Sequence, residues 1–333
     1  MVETVKVTPK FQTRVDATSG VIYMPQRVTV AEAVAFKQRC QRFFEEHPDV
    51  GLLVLDLGQT EFIDSSGIGA LVICHRMSQS HGTQLRLRNL HSQVSMVLSM
   101  TELDKVFHIE PAEPTSSAAT RPTTGGALPE THPSVTSKAK RLLDIVGACV
   151  GLAITAVLYV VVAIAIKFDD GGPVFFGQTR CSWMGKRFTI WKFRSMVTDA
   201  EARKAEVANE VEGPLFKNEN DPRITKIGRF LRKTSLDEFP QFWNVLRGDM
   251  SRVGTRPPTP DEIEQYEVPE WRRLNVKPGM TGEWQVNGRS SVKKFEDVIR
   301  LDLRYQDNWS LLYDIQLIVK TVLVLFSKRS GAV

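Results

Sequence analysis

The stretch IVGACVGLAITAVLYVVVAIAI, residues 145–166, divides the chain into two parts of different character. It contains about 22 residues without a charge, which is long enough to cross a hydrocarbon core of about 30 Å as a helix. Lys138, Lys140 and Arg141 precede it, and such a positive flank is typical of a cytoplasmic start. Hydropathy fits both a single crossing and a segment that enters the membrane and returns on the same side.

The part before the apolar stretch alternates strand-like and helix-like segments. Apolar runs at 52–57, 85–87 and 106–109 predict strands. Helices are predicted from a capping box at Thr29 to Glu46, after Asp64, and over 93–101. This alternation predicts a small α/β domain that ends near residue 110.

Residues 62–71, FIDSSGIGAL, begin the second of these helices. They resemble the signature of STAS domains, and the resemblance covers roughly the first 110 residues. It implies that Ser66 is a phosphorylation site, because a phosphate at a helix N-terminus meets free N–H groups and the positive end of the helix dipole. The alternative is that Asp64 and Ser65 only cap the helix.

From Pro111 to Ser137 the composition changes to Pro, Ser, Thr, Ala and Gly. Such a segment is typical of a flexible tether. The sequence therefore predicts a domain at 1–110, a linker at 111–137 and a membrane-anchored domain at 138–333.

Charge and histidine usage restrict the chemistry of the second domain. The net charge of +5 favours an anionic partner such as a phosphate, a nucleotide or a lipid surface, and no nucleic-acid module is recognisable. All six histidines lie before residue 133, so catalytic and metal-binding groups further on are expected to be oxygen groups. Oxygen ligands favour Mg²⁺ over zinc.

The adjacent carboxylates of Asp237 and Glu238 follow a run of cations that ends with Arg232 and Lys233. By itself an Asp-Glu pair is more typical of a solvated helix start. Arg256 follows in a Gly- and Pro-rich segment, and its planar fork suits a phosphate. Two carboxylates beside arginines can act on a phosphorus centre, one as nucleophile and the other as a Mg²⁺ ligand.

Residues from about 138 to 328 resemble the bacterial sugar transferase family, the monotopic phosphoglycosyl transferases that use polyprenyl phosphate. The resemblance is carried by seven ordered blocks: KRLLD (140–144), GPVFFGQ (172–178), KFRSM (192–196), TSLDEFPQ (234–241), NVLRGDMS (244–251), KPGMTG (277–282) and QVNGR (285–289). It implies a mixed α+β domain with a re-entrant membrane helix and amphipathic helices at the interface.

The resemblance also implies a reaction. Asp237 attacks the β-phosphate of a UDP-sugar, UMP leaves, and undecaprenyl phosphate then attacks the phosphosugar-aspartyl intermediate in a ping-pong mechanism. Glu238, with Asp237 beside it, holds Mg²⁺. The substrate-binding residues that the resemblance implies are Arg256, Lys192, Arg194, Arg232, Gln285, Asn287 and Arg289. Lys140, Arg141 and Asp144 match residues at the start of the membrane helix.

One departure from the family bears on topology. The family has Ser-Pro near the middle of the membrane helix, where this chain has Thr155-Ala156-Val157. A threonine that bonds back to a carbonyl bends a helix more weakly than proline does. Re-entry therefore follows from the family alone, and it implies an inner-membrane protein with both domains facing the cytoplasm.

Two functions from different classes are compatible with these patterns. The first is an enzyme that initiates exopolysaccharide, capsule or glycan assembly, with the STAS domain as a regulatory or docking unit for a protein partner. The second is a non-catalytic membrane scaffold that binds a regulatory partner through the STAS domain. The intact Asp237-Glu238 pair favours the first. The transferred sugar is not determined by these patterns, and a homodimer is one alternative for the oligomeric state.

Overall fold

The computed structural model describes residues 11–16, 18–110, 131–210, 213–214, 216, 218, 220–287 and 294–326. The chain forms two compact units. The first comprises Met1–Thr131, Met184–Lys186 and Tyr266–Asn275, and the second comprises His132–Trp183, Arg187–Gln265 and Val276–Val333. Two short segments from beyond residue 138 thus belong to the first unit, which the division of the sequence at residue 138 does not anticipate.

The described residues of the first unit form seven strands: β1 (Thr13–Val15), β2 (Ser19–Tyr23), β3 (Arg27–Val28), β4 (Leu52–Asp56), β5 (Phe62–Ile63), β6 (Gln84–Arg88) and β7 (His108–Ile109). The main sheet has the order β1-β2-β4-β6-β7, in which only β1 is antiparallel to its neighbour. β3 and β5 form a separate parallel pair. Leu53 and Leu55 on one face of the central strand β4 and Val54 on the other are all buried, as expected of a parallel strand that is covered on both faces.

Three helices accompany this sheet: α1 (Val30–Glu46), α2 (Ser65–Ser80) and α3 (Ser92–Met100). The predicted capping box at the start of α1 is present, with Thr29 and Glu32 as its two residues. Asp64 caps α2, since its Oδ1 accepts a hydrogen bond of 2.9 Å from the backbone N–H of Gly67. The predicted small α/β domain is therefore confirmed. The strand expected at 106–109 is shorter, because a 3-10 helix over Leu103–Lys105 leads into β7.

In the part of the second unit that the structure describes there are eight α-helices: α4 (Pro133–Thr136), α5 (Lys138–Asp170), α6 (Lys226–Lys233), α7 (Phe242–Arg247), α8 (Pro260–Glu264), α9 (Glu283–Asn287), α10 (Phe295–Asp307) and α11 (Leu311–Phe326). The strands are β8 (Phe175–Cys181), β9 (Arg187–Phe193), β10 (Ser251–Val253) and β11 (Gly279–Thr281). β8 and β9 form an antiparallel hairpin, and β10 and β11 form a parallel pair. α4 lies within the predicted tether, whose residues 111–130 fall outside the described residues.

The apolar stretch forms the middle of α5, a helix of 33 residues and, among the described residues, the one helix long and apolar enough to cross a membrane. At 1.5 Å per residue it is about 50 Å long. One face is buried along its whole length, from Asp144 through Gly151 and Thr155 to Ile166. The opposite face exposes apolar side chains: Leu142, Val146, Val150, Val157, Val161, Ile164 and Phe168.

The start of α5 is bound by the three residues that the sequence assigns to the start of the membrane helix. Lys140 donates from Nζ to Oδ2 of Asp314 (2.6 Å) and to the carbonyl oxygen of Val253 (3.0 Å). Arg141 donates to two carbonyl oxygens of α7. Asp144 accepts from the hydroxyl and backbone N–H groups of Ser251 and Arg252. These side chains therefore hold α5 to the rest of the unit, because buried charges need partners.

The other end of α5 is bound to the same unit. Val162 and Ile166 pack with Phe193 and Leu231 in one apolar cluster. Asp170 forms an ion pair with Arg194. Both ends of the apolar helix therefore contact one compact unit.

α6, Lys226–Lys233, is amphipathic. Ile227 and Leu231, four residues apart, form its buried face. Phe230 of the same helix is 58% exposed, because the packing of α6 centres on residues 227 and 231. α11 likewise exposes Leu312, Val319 and Leu323.

Candidate active site

A cavity of about 480 Å³ lies in the second unit and is lined by residues from β8, β9, the Leu236–Gln241 segment, the loop after β10, and α11. Its charged side chains are those of Arg180, Lys192, Glu238, Arg252 and Arg256. Among the described residues, four cations and one carboxylate therefore line the cavity. The apolar wall includes Phe239, Phe242, Met280, Ile318 and Val322. The cavity thus combines a cationic part, which suits phosphates, with an apolar part.

Asp237 and Glu238 lie in the first turn of a 3-10 helix, Leu236–Gln241. Ser235 precedes this helix in the left-handed region (φ 55°), where a residue other than glycine is uncommon. Successive residues of a 3-10 helix point about 120° apart. Glu238 accordingly lines the cavity, whereas Asp237 is only 6% exposed and is not among the lining residues. The burial of Asp237 disagrees with a solvated helix start.

Glu238 is held by Lys192 of β9. The Nζ atom of Lys192 donates to Oε1 of Glu238 over 3.0 Å, and both side chains are partly exposed to the cavity. Two of the residues predicted for the site are therefore brought together by the hairpin and the 3-10 helix. This pair places a positive charge beside the acid that is expected to bind a metal.

Arg256 reaches the cavity as the sequence predicts, and its guanidinium is fixed by a second residue. Nη1 and Nη2 donate to the two carboxylate oxygens of Glu262, over 2.8 and 3.1 Å. Glu262 is itself buried and belongs to the capping box of α8, where Thr259 is the cap residue. The sequence gives no sign of this pair beyond a Thr-x-x-Glu capping pattern at 259–262.

Two further cations of the cavity were not predicted. Arg180 donates to the carbonyl oxygen of Pro257 (3.0 Å) and to Oε1 of Gln178. Arg252 packs against α5, where a Cβ added to Gly147 would lie 2.3 Å from its Nη1. Burial lowers the pKa of Arg252, and the nearby Asp144 opposes this shift. The sequence gives little sign of Arg180, which is one of several cations near β8 and β9, or of Arg252, which directly follows the family block at 244–251.

Arg194 and Arg232 were also predicted to bind substrate, but neither lines the cavity. Arg194 is buried and paired with Asp170, so the geometry gives it a packing role. Arg232 donates from Nε to the hydroxyl of Ser195 (3.0 Å). Burial lowers the pKa of Arg232, while the negative charge of Asp237 opposes this shift, so Arg232 is close enough to Asp237 to stabilise its carboxylate.

Of the three predicted residues in the block at 285–289, one lines the cavity. Gln285 lines the cavity, Asn287 is exposed and does not, and Arg289 lies outside the described residues. Three cavity-lining residues carry a buried polar atom without a hydrogen-bond partner among the described residues: Ser235 (Oγ), Trp284 (Nε1) and Gln285 (Oε1). Because a buried polar atom without a partner is costly, these atoms offer hydrogen bonds to a polar group that enters the cavity.

The donor atoms of this site bear on the expected Mg²⁺. No group of three or more His, Cys, Asp or Glu side chains suited to a metal occurs in the described part of the chain. Mg²⁺ often binds through one or two carboxylates together with substrate phosphates and water. Glu238 faces a cationic cavity that suits phosphates, and it fits this second mode.

Comparisons with known proteins identify the family of this chain. The sequence model of the family described as "Bacterial sugar transferase" matches residues 135–328, which include every residue that lines the cavity. The chain belongs to the bacterial sugar transferase family. A second model, of the STAS domain, matches residues 9–116, in the first unit.

Named relatives of this sugar transferase differ in length. The galactosyl transferase CpsE of Streptococcus agalactiae is 50% identical over 189 residues, which are 56% of this chain and 42% of that protein. The UDP-glucose:undecaprenyl-phosphate glucose-1-phosphate transferase of Escherichia coli is 40% identical over 199 residues, 58% of this chain and 41% of that protein. The chain thus matches less than half the length of these two relatives.

The exopolysaccharide production protein ExoY of Rhizobium meliloti is shorter. It is 39% identical over 190 residues, which are 55% of this chain and 84% of ExoY. Among solved structures, the anti-sigma factor antagonist SpoIIAA in its unphosphorylated form is 16% identical with a TM-score of 0.26, and covers 31% of this chain and 90% of that chain.

Proposed function

We propose that this sugar transferase moves a sugar-1-phosphate from a UDP-sugar to undecaprenyl phosphate and so begins the assembly of an exopolysaccharide, capsule or other glycan. The observation that carries the proposal is the composition of the cavity, where four cations and Glu238 adjoin an apolar wall. The cationic part suits a diphosphate, and the apolar wall suits the first isoprene units of a lipid. The printed names of the relatives describe galactosyl, glucose-1-phosphate and exopolysaccharide chemistry.

The chemistry proposed is a double displacement at phosphorus. A carboxylate oxygen of Asp237 attacks the β-phosphorus, the bond from that phosphorus to the bridging oxygen breaks, and UMP leaves with the electron pair. An oxygen of undecaprenyl phosphate then attacks the same phosphorus and displaces the aspartate carboxylate. Each step forms one P–O bond and breaks one. The second step returns Asp237 to its starting state.

The side chains around the cavity have separate parts in this scheme. Arg256 and Arg252 neutralise non-bridging phosphate oxygens, and Lys192 controls the orientation of Glu238. The positive charge of Arg232 interacts with the carboxylate of Asp237 and stabilises it. Asp237 must turn toward the cavity for the attack, since its side chain is buried. Mg²⁺, held by Glu238 with Asp237 beside it, would supply charge neutralisation on the diphosphate.

The membrane arrangement is part of the proposal. Both ends of α5 contact the second unit, and the face turned away from it is apolar along the helix. This supports a helix that lies in one leaflet with both ends at the same surface. We assign that surface to the cytoplasmic side of the inner membrane, where UDP-sugars are made.

The deciding experiment is incubation of the full chain in membranes or detergent with radiolabelled UDP-sugars. With undecaprenyl phosphate present we expect a labelled lipid and UMP; without it, we expect a burst of one UMP per enzyme and a labelled protein. Asp237→Asn should give neither product, and chelation by EDTA should suppress both until Mg²⁺ is restored. Absence of UMP release with every sugar tried would favour the scaffold alternative, and a labelled Asp237→Asn protein would place the nucleophile elsewhere.

A further inference from the structure

The first turn of α2 binds a segment of the chain that is distant in sequence. The hydroxyl hydrogen of Ser65 can be donated to either of two acceptors, the carbonyl oxygen of Trp271 and Oδ1 of Asn275, each 2.6 Å from Oγ. The backbone N–H of Ser65 also donates to Oδ1 of Asn275, over 3.1 Å. Ser65 is fully buried. These bonds tie the STAS signature to Tyr266–Asn275, both parts of the first unit.

The next turn of α2 fits the same segment closely. A Cβ added to Gly69 would lie 2.4 Å from the ring of Trp271, which is too close for any side chain. Trp271 is itself 3% exposed. On α1, Lys37 forms an ion pair with Glu267 at the edge of the contact. The indole thus occupies a space that only a glycine on α2 leaves open.

The same arrangement encloses Ser66, the predicted phosphorylation site. Ser66 is fully buried, and its hydroxyl has no hydrogen-bond partner among the described residues. Ser65 faces two acceptor oxygens, which would repel an added negative charge. While the segment is bound, neither serine is open to a kinase. Phosphorylation of Ser66 stays a prediction for the state in which the segment has left.

The bound segment is continuous in sequence with residues of the cavity. Arg256 and Pro257, which line the cavity, precede Tyr266 by nine or ten residues. Gly279 and Thr281, which also line it, follow Asn275 by four and six residues. Tyr266–Asn275 therefore connects two lining segments, and it lies within the residues matched by the sugar transferase family.

From these observations we infer that the start of α2 is a docking surface for Tyr266–Asn275 of its own chain. The STAS domain then acts on the sugar transferase part within one polypeptide, by holding the connection between two segments of the cavity. The segment Tyr266–Asn275 is thus an intramolecular ligand of the STAS domain. An external protein would have to compete with this segment for the start of α2.

The test is hydrogen exchange of the full chain, read by mass spectrometry, which does not depend on transferase activity. Ser65→Asp places a carboxylate opposite two acceptor oxygens, and Gly69→Leu fills the space of the indole. We expect both to raise exchange in 266–275 by at least about tenfold, because a buried hydrogen-bonded contact is lost. Amides of β4 and β6 should stay protected and so report that the domain remains folded.

Ser92→Asp is the matched control, since Ser92 is likewise the first residue of a helix in this domain but is exposed. It should leave exchange in 266–275 unchanged. If 266–275 stays protected in Ser65→Asp while β4 and β6 are folded, the inference is overturned. If Gly69→Leu unfolds the sheet, Ser65→Asp and a charge reversal of the Lys37–Glu267 ion pair test the inference instead. Lys37→Glu alone should raise exchange in 266–275. Lys37→Glu combined with Glu267→Lys should restore the protection of this segment.

Discussion

The guanidinium of Arg256 and the carboxylate of Glu262 form a bidentate ion pair beneath the cavity, with N–O distances of 2.8 and 3.1 Å. The sequence predicts Arg256 as a phosphate-binding residue. The orientation of its side chain, however, is set by Glu262, a buried acid six residues later in the chain. The pair is pre-organised, because Glu262 is also fixed by the cap of α8. An arginine held in this way can meet a phosphate without first losing side-chain freedom.

The first prediction concerns this pair. Glu262→Gln should lower UMP release by roughly 10- to 100-fold, mainly through a higher KM for the UDP-sugar, because Arg256 loses the charge that orients it. Thr259→Ala is the control: it removes the cap of the same helix but keeps the ion pair, and should cost less than about threefold. Equal losses in both variants would show that Glu262 acts only through the stability of α8.

A second prediction concerns the face of α5 behind the cavity. A Cβ added to Gly151 would lie 2.3 Å from the ring of Phe242, which lines the cavity. Gly151→Leu should displace that ring and reduce transfer at least about tenfold, since overpacking costs about 1–3 kcal/mol. Val150→Leu, on the exposed face, should be nearly silent. Full activity of Gly151→Leu in membranes would contradict the close packing.

The buried pair of Lys140 and Asp314 leads to a third prediction. Asp314 is fully buried and also accepts a hydrogen bond from Tyr305 (2.8 Å). Lys140→Met should destabilise the second unit by about 3–5 kcal/mol, because it leaves an uncompensated buried charge. Adding Asp314→Asn should recover part of this loss. Thermal unfolding in detergent measures the stability of the single and the double variant. If Lys140→Met alone is as stable as the wild type, another group compensates the charge of Asp314.

Topology provides a fourth prediction. Lys138 and Pro173 flank α5 and are exposed. With Cys149, an exposed native cysteine, replaced by serine, cysteines placed at Lys138 and at Pro173 should both react with an impermeant maleimide from the cytoplasmic side. Labelling of the two positions from opposite sides would establish a single crossing.

The pH dependence of the α4 region gives a fifth prediction. His132 donates from Nε2 to the carbonyl oxygen of Gln306 (3.0 Å), and its Nδ1 accepts from the backbone N–H of Ser134 (3.2 Å). Burial lowers the pKa of His132, with the Gln306 bond opposing the shift. The folded state therefore binds the proton less readily than the unfolded state, and the region is most stable above the ordinary pKa of about 6.5.

As pH falls below about 6.5, protonation of Nδ1 breaks the Ser134 bond and the stability of this region should decline. Hydrogen exchange of residues 134–136, corrected for intrinsic rates, should therefore show weaker protection at acid pH. His132→Gln should remove the pH dependence. Protection that is constant across this range in the wild type would show that His132 stays neutral and bonded.

The features that the sequence determines by itself are local. A charge-free run of sufficient length predicts α5, and the Thr29–Glu32 capping box predicts the start of α1, because both depend on residues within a few turns of one another. The ordered blocks identify the family and include Asp237 and Glu238, and the Gly- and Pro-rich segment that follows supplies Arg256.

What only the tertiary structure decides is which of these residues meet. Arg194 and Lys140 look like substrate or membrane residues in the sequence, yet they are ion-paired in the interior, whereas Arg180 reaches the cavity. The contact of Ser65 with Asn275 spans 210 positions. Such pairings have no periodic signature, because they depend on how separate helices and strands pack, and packing is set by the whole chain.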